Sequence, residues 1–120
     1  MIKVSVIYPN NPGVRFDHDY YRTRHLPLIE NRMGAGLKYY TIDKGLAGSV
    51  PGSAPTYVAA CHLLCDSVPA YNAAFGEHAQ EILRDIANFT DVKPIVQISE
   101  VVVENSVSER NPAQEFARRA

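Results

Sequence analysis

Arg15–Ile29, RFDHDYYRTRHLPLI, decides how the rest of the chain is read, because it concentrates two histidines, two tyrosines, two aspartates, three arginines and a proline. Taken as a helix, it opens on Asp17, whose short carboxylate can accept from the unpaired N–H groups of the first turn. Tyr21 and His25 then stand four apart on one face, with Leu28 and Ile29 just beyond, so the imidazole is expected in apolar company. Pro27 cannot donate to the carbonyl four residues back, and its ring crowds that turn. The helix is therefore expected to kink near Thr23 to His25.

Working outward, Met1 to Tyr8, MIKVSVIY, is β-branched and stops at the turn PNNPG, which makes it strand one. After the helix, Met33 and Gly34 mark its end, since glycine takes the backbone conformation that closes helices. Leu37 to Ile42 reads as strand two. Asp43 to Pro55, with three glycines, two prolines and two serines, reads as a long loop, either a lid or a tolerated surface insertion. Thr56 to Cys65 reads as strand three. Ser67 caps a second helix whose Val68, Tyr71, Phe75, Ile82, Ile86 and Phe89 fall on one stripe. Pro94 to Val103 reads as strand four, and Glu104 to Ala120 as a polar tail that either forms a short helix or frays.

The length of 120 residues, 46% hydrophobic and 21% charged, suits one soluble domain with a core of its own. Net charge is -1 with the two signs interspersed, which argues against a nucleic-acid partner. No apolar run approaches the roughly twenty residues needed to span a bilayer, and MIKVSVIYPN is not a charged leader followed by an apolar core. A cytoplasmic protein without a membrane partner is expected. Cys61 and Cys65, four apart on a strand, would sit about 13 Å apart, too far for a disulfide, and are expected as reduced thiols.

The order strand, helix, strand, strand, helix, strand is that of an α+β, ferredoxin-like βαββαβ fold, with a four-stranded antiparallel sheet carrying both helices on one face. Strand four is apolar on both sides, and strands of that kind want cover on both faces. A second copy of the sheet would supply it, so a homodimer is expected, its two sheets facing each other across a cavity. Ser5, His62, Gln97 and Ser99 would line that cavity if they share a face.

MIKVSVIYPN, FDHDYYRTRHLPL, FGEHAQEIL and FTDVKPIVQISEV together resemble the EthD family, named for ethyl tert-butyl ether degradation, within the dimeric α+β barrel superfamily. The resemblance covers Met1 to Val103, read as a 1–103 domain followed by the 104–120 tail, and its most specific part is the tyrosine-rich helix with its H-x-P-L. It implies a homodimer with a small pocket between sheet and helices on each subunit. It also implies an oxidoreductase of monooxygenase type acting on a small apolar or aromatic molecule. A cofactor-free isomerase or decarboxylase is the second implied class, and a noncatalytic binding or accessory protein of a degradation pathway the third. Fold alone does not choose among these.

His25 is the leading catalytic candidate, as a general acid or base, and the plainer alternative is a histidine bonded to a carbonyl that Pro27 leaves free. His78, at the edge of the second helix's stripe, is a second catalytic candidate if it faces the same cavity, with Glu81 one turn on to orient it. Tyr20, Tyr21 and His62 are candidate substrate contacts. His18 is expected in solvent, and the arginines on a solvated face. No His-x-x-x-His pair or comparable cluster suggests zinc, no Gly-rich phosphate loop follows a strand, and the G-x-S-x-G serine elbow is absent, so no metal or cofactor is expected.

Overall fold

A computed structural model describes residues 1–107 of the chain, so the part of the tail from 108 to 120 lies outside the described residues. Strands β1 (Ile2–Pro9), β2 (Tyr39–Lys44), β3 (Tyr57–Cys65) and β4 (Ile95–Glu100) form one antiparallel sheet in the order β2-β3-β1-β4. The first helix runs between β1 and β2 and the second between β3 and β4, which is the expected βαββαβ order.

Each helix is a composite. The first begins as a single α-helical turn, His18–Tyr20, widens to a π-helix over Tyr21–His25, and returns to an α-helix over Leu26–Met33 before a 3-10 turn at Gly34–Gly36. The second is α-helical over Val68–Phe75, tightens to a 3-10 turn at Gly76–His78, resumes over Ala79–Asp85 and closes with a 3-10 turn at Ile86–Asn88. The helix starts follow the capping chemistry: Asp17 accepts from the Tyr20 N–H, and Ser67 from that of Ala70. Gly34 ends the first α-helix at φ +54°, a value residues with a Cβ rarely adopt.

Most strand ends differ from expectation by one to three residues, and β2 runs on through Lys44, so the loop expected from Asp43 starts at Gly45. β2 begins two residues late, because the Leu37 N–H still bonds back to Gly34 inside the 3-10 turn. β4 stops at Glu100, three short of Val103, although the Val101 N–H still reaches the Met1 carbonyl. The loop after β2 folds back on itself through the Gly48 N–H to Ser53 and the Ser53 N–H to Val50. At Gly45 a Cβ would stand 2.1 Å from the Tyr57 carbonyl oxygen, so only glycine lets the loop leave β2 so close to β3.

Both helices pack on one sheet face. Val4, Tyr8, Cys61 and Leu63 from the strands meet Tyr21, Leu26, Ile29, Met33, Ile82 and Phe89 in one core. Cys61 and Cys65 are free and buried. Directly opposite residues share a face, so the pairings Ser5 with His62, Ser5 with Gln97 and Lys3 with Ser99 place those polar side chains together on the other, uncovered face. β4 is an edge strand that the helices do not reach. Ile95 on its uncovered face is 54% exposed, while Val96 and Ile98 on its helix side are 55% and 42% exposed.

Candidate functional site

The expected kink in the first helix is a π-helical turn. The Leu26 N–H bonds to the carbonyl of Tyr21, five residues back, and the widened turn gives the Pro27 ring room at the carbonyl it would otherwise strike. Widening also alters which side chains meet. Tyr21 and His25 stack with ring centroids 5.7 Å apart and planes 15° apart, and both turn into the core, 1% and 3% exposed. Phe89, entering from the end of the second helix, closes on His25 at 4.5 Å and on Tyr21 at 5.0 Å. A buried imidazole among aromatic rings requires a polar partner.

That partner is Asp85, near the end of the second helix. The His25 Nδ1 lies 2.9 Å from its Oδ2, and because a carboxylate can only accept, Nδ1 carries the proton. Asp85 is held in turn by the Tyr20 hydroxyl at 2.7 Å and the Asn88 amide at 2.9 Å, both donating to Oδ1. Partial desolvation raises the Asp85 carboxyl, and the hydrogen bonds from Tyr20, His25 and Asn88 outweigh it, holding the group below the usual carboxylate range. Burial pulls His25 below its ordinary value of 6.5, against the opposing pull of Asp85. The resting pair is therefore a neutral imidazole beside a carboxylate.

The Nε2 atom of that imidazole has no protein partner among the described residues, and the ring forms part of the wall of a cavity of about 110 Å³. The sheet contributes Val6, Tyr8, Cys61, Leu63 and Val96 to the wall, and the helices contribute Tyr21, Ile29, Tyr71, Phe75, Ile82 and Ile86. Among the described residues no lysine, arginine or carboxylate lines it. The Tyr21 hydroxyl is buried beside the Tyr8 hydroxyl and the Cys61 thiol and makes no hydrogen bond of good geometry among the described residues. Burial raises both Tyr8 and Tyr21, and pushes the Cys61 thiol up to about 11, so all three keep their protons near neutral pH. The cavity thus offers one free acceptor in an apolar, aromatic enclosure. Such a pocket with few polar groups is a common form of small-molecule site.

The other residues singled out from sequence are dispersed. Tyr20 reaches the site through Asp85 and does not line the cavity. His78 lies outside it, in the 3-10 turn of the second helix, with Nε2 3.3 Å from Glu77. Glu81 does not orient His78 and instead takes a two-pronged contact from Arg32, at 2.7 and 3.0 Å. That pair removes Arg32 from the purely solvated set. His18 is not in solvent alone, since it packs on Phe16 at 4.7 Å.

His62 stands on the opposite, uncovered sheet face. Its Nε2 lies 3.1 Å from an Asp43 carboxylate oxygen and its Nδ1 is hydrogen-bonded to the Ser5 hydroxyl at 2.8 Å. Serine, histidine and aspartate in that order match an acyl-transfer triad in type. Ser5, however, lies mid-strand in β1, paired on both sides, which leaves no neighbouring N–H to stabilise an oxyanion. The loop from Gly45 to Pro55 contributes nothing to the cavity wall, so it does not act there as a lid. Among the described residues no three histidine, cysteine or acidic side chains gather as a metal site, and no helix is long and apolar enough to cross a membrane.

Asp85 was not singled out from sequence. Its position, between Ile82 and Ile86 on the border of the apolar stripe, was the available signal.

Comparison with known proteins places this architecture. The model of the EthD domain matches residues 14–93, which span both helices and the His25–Asp85 pair. The chain belongs to the EthD family. An EthD-like protein of Ralstonia eutropha JMP134 is 54% identical, superposes with a TM-score of 0.84, and the match covers 88% of this chain and 95% of that one. An ethyl tert-butyl ether degradation (EthD) family protein of Bacillus halodurans C-125 is 19% identical with a TM-score of 0.64, covering 83% and 97%, and shares the fold. No curated protein matches the sequence. In this EthD-family chain the matched region includes every residue of the network around His25: Tyr20, Tyr21, Asp85, Asn88 and Phe89.

Proposed function

We propose that this EthD-family protein is a small homodimeric enzyme that transfers a proton on a small apolar or aromatic molecule, as one step of a monooxygenase-type oxidation. The observation that carries the reading is the free Nε2 of a neutral, carboxylate-paired imidazole in the wall of an apolar cavity. Asp85 holds Nδ1–H, fixing the tautomer, so Nε2 presents its lone pair to the cavity and acts as the general base. When Nε2 takes a proton, the imidazolium forms against a carboxylate already in place, and no new charge has to be recruited. Apolar walls exclude competing water from the deprotonated substrate. Tyr20 and Asn88 keep Asp85 ionised and aimed.

The homodimer is supported by β4, whose apolar side chains are exposed on both faces, and by the polar row of Ser5, His62, Gln97 and Ser99 on a sheet face that no helix covers. The free thiols of Cys61 and Cys65 fit a reducing, cytoplasmic setting.

The test is untargeted mass spectrometry of a small-molecule extract incubated in air with the wild-type chain and with His25→Ala. The expected result is a compound consumed, with an oxygen-bearing product, by the wild type alone, while both proteins run as dimers. Equal consumption by His25→Ala would remove the imidazole from the mechanism. A compound bound but unconverted by both proteins would instead identify a noncatalytic binding protein.

A further inference from the structure

The cavity wall carries a chemical specification beyond being apolar, and the specification rests on the reading above that the space beside His25 is the reaction site. Three observations supply it. His25 Nε2 is an acceptor without a donor, because Asp85 fixes the ring proton on Nδ1. The Tyr21 phenol, 1% exposed and part of the same wall, has only the Tyr8 hydroxyl and the Cys61 thiol as polar neighbours and makes no hydrogen bond of good geometry among the described residues. Among the described residues no cation lines the space, so an anion entering it would lose its hydration without gaining a counter-charge from them.

We infer that the cavity takes a neutral molecule of about one six-membered ring carrying a hydroxyl group, which donates its proton to His25 Nε2. A hydroxyl is both donor and acceptor, so its oxygen is also available to a phenol proton from the wall. A hydrocarbon would leave Nε2 unpaired, and a carboxylate would bring an uncompensated charge. Size sets the remaining limit. An apolar protein cavity of about 150 Å³ holds a benzene molecule, and the space here, about 110 Å³ and not fully enclosed, is of single-ring size and too small for a fused bicyclic.

The hydroxyl also fits the chemistry of the base. Passing the O–H proton to Nε2 leaves the electron pair on the ligand oxygen and the positive charge on an imidazole whose other nitrogen already faces a carboxylate. The ligand's O–H bond breaks and the Nε2–H bond forms, with no further reactant required.

The experiment titrates the full chain at pH 7.5 with phenol, toluene and benzoate, following heat release and the ¹⁵N resonances of His25. Phenol is expected to bind about tenfold more tightly than toluene, its near-isostere without the hydroxyl, and to move the His25 Nε2 resonance. Benzoate is expected to bind about a hundredfold more weakly than phenol. Phenol and toluene binding equally, with His25 responding to both, would overturn the hydroxyl requirement and leave the cavity as the site. Benzoate matching phenol would overturn the requirement for a neutral ligand. Failure of all three to perturb His25 would overturn both this specification and the reading of the cavity as the reaction site.

Discussion

His25 and His62 lie on opposite faces of one sheet, and each stands beside an aspartate from another segment of the chain, hydrogen-bonded at 2.9 Å in His25 and in charge-pair contact at 3.1 Å in His62. They differ in what the second nitrogen meets. In His62 it is hydrogen-bonded to Ser5, on a face with no helix above it, so the ring's hydrogen-bonding capacity is used up inside the chain. In His25 it has no protein partner among the described residues, and the ring is part of the wall of an apolar cavity. Burial follows the same division: the His25 side chain is 3% exposed, that of His62 26%. A carboxylate beside a histidine is therefore only half of a base. The other half is an unoccupied nitrogen in a place where a substrate can reach it and water is scarce.

The sharpest way to break the comparison is to remove each imidazole in turn. His25→Ala is expected to lower turnover by about a thousandfold, the scale of a lost general base, read as product formed by mass spectrometry. Asp85→Asn should have the next largest effect, about a hundredfold. The amide can still accept from Nδ1–H, but it no longer compensates the imidazolium, so the pH at which activity is half-maximal should move further down.

Acid titration separates the two faces next. His25 is held below 6.5 in the folded chain, so the unfolded state binds the proton more readily and stability should fall as pH drops through the folded-state value. Asp85 is held below 3.8, so its contribution is present above that pH and lost on acidification through its own lower value. Activity should show an acid limb with a midpoint below 6.5 and a plateau from there through neutral pH, measured as a rate profile. The smallest effect belongs to His62→Ala. Turnover should stay within about twofold and monomer stability within about 1 kcal/mol, the worth of a part-exposed hydrogen-bond pair, by thermal unfolding.

Much of this arrangement was legible in the sequence because it is local. The strands follow from β-branched runs bounded by turn residues, Asp17 and Ser67 cap the helices as their chemistry requires, and Pro27 next to His25 announced a disturbed turn. The alternation of the strands left open whether Ser5, His62, Gln97 and Ser99 share a face, and the pairing registers place them on one. What could not be read was the long-range part. Asp85 stands 60 residues from His25 in the chain, and a polar residue on the border of an apolar stripe looks solvent-facing until the opposite helix is in place. Ideal spacing put Tyr21 and His25 on one face, where they stack, but the 3-10 turn at Gly76–His78 resets the angular register of the second helix, so the same spacing could not say that His78 would lie outside the site.

The most direct test of the account is the protonation state of His25, read from two-bond ¹⁵N–¹H correlation spectra of the full chain from pH 5 to 8. The account predicts a proton on Nδ1 and a bare Nε2 at neutral pH, with the second proton arriving only below 6.5. A His25 with its proton on Nε2, or doubly protonated at pH 7, would contradict it, because the nitrogen facing the cavity would then have no lone pair to offer.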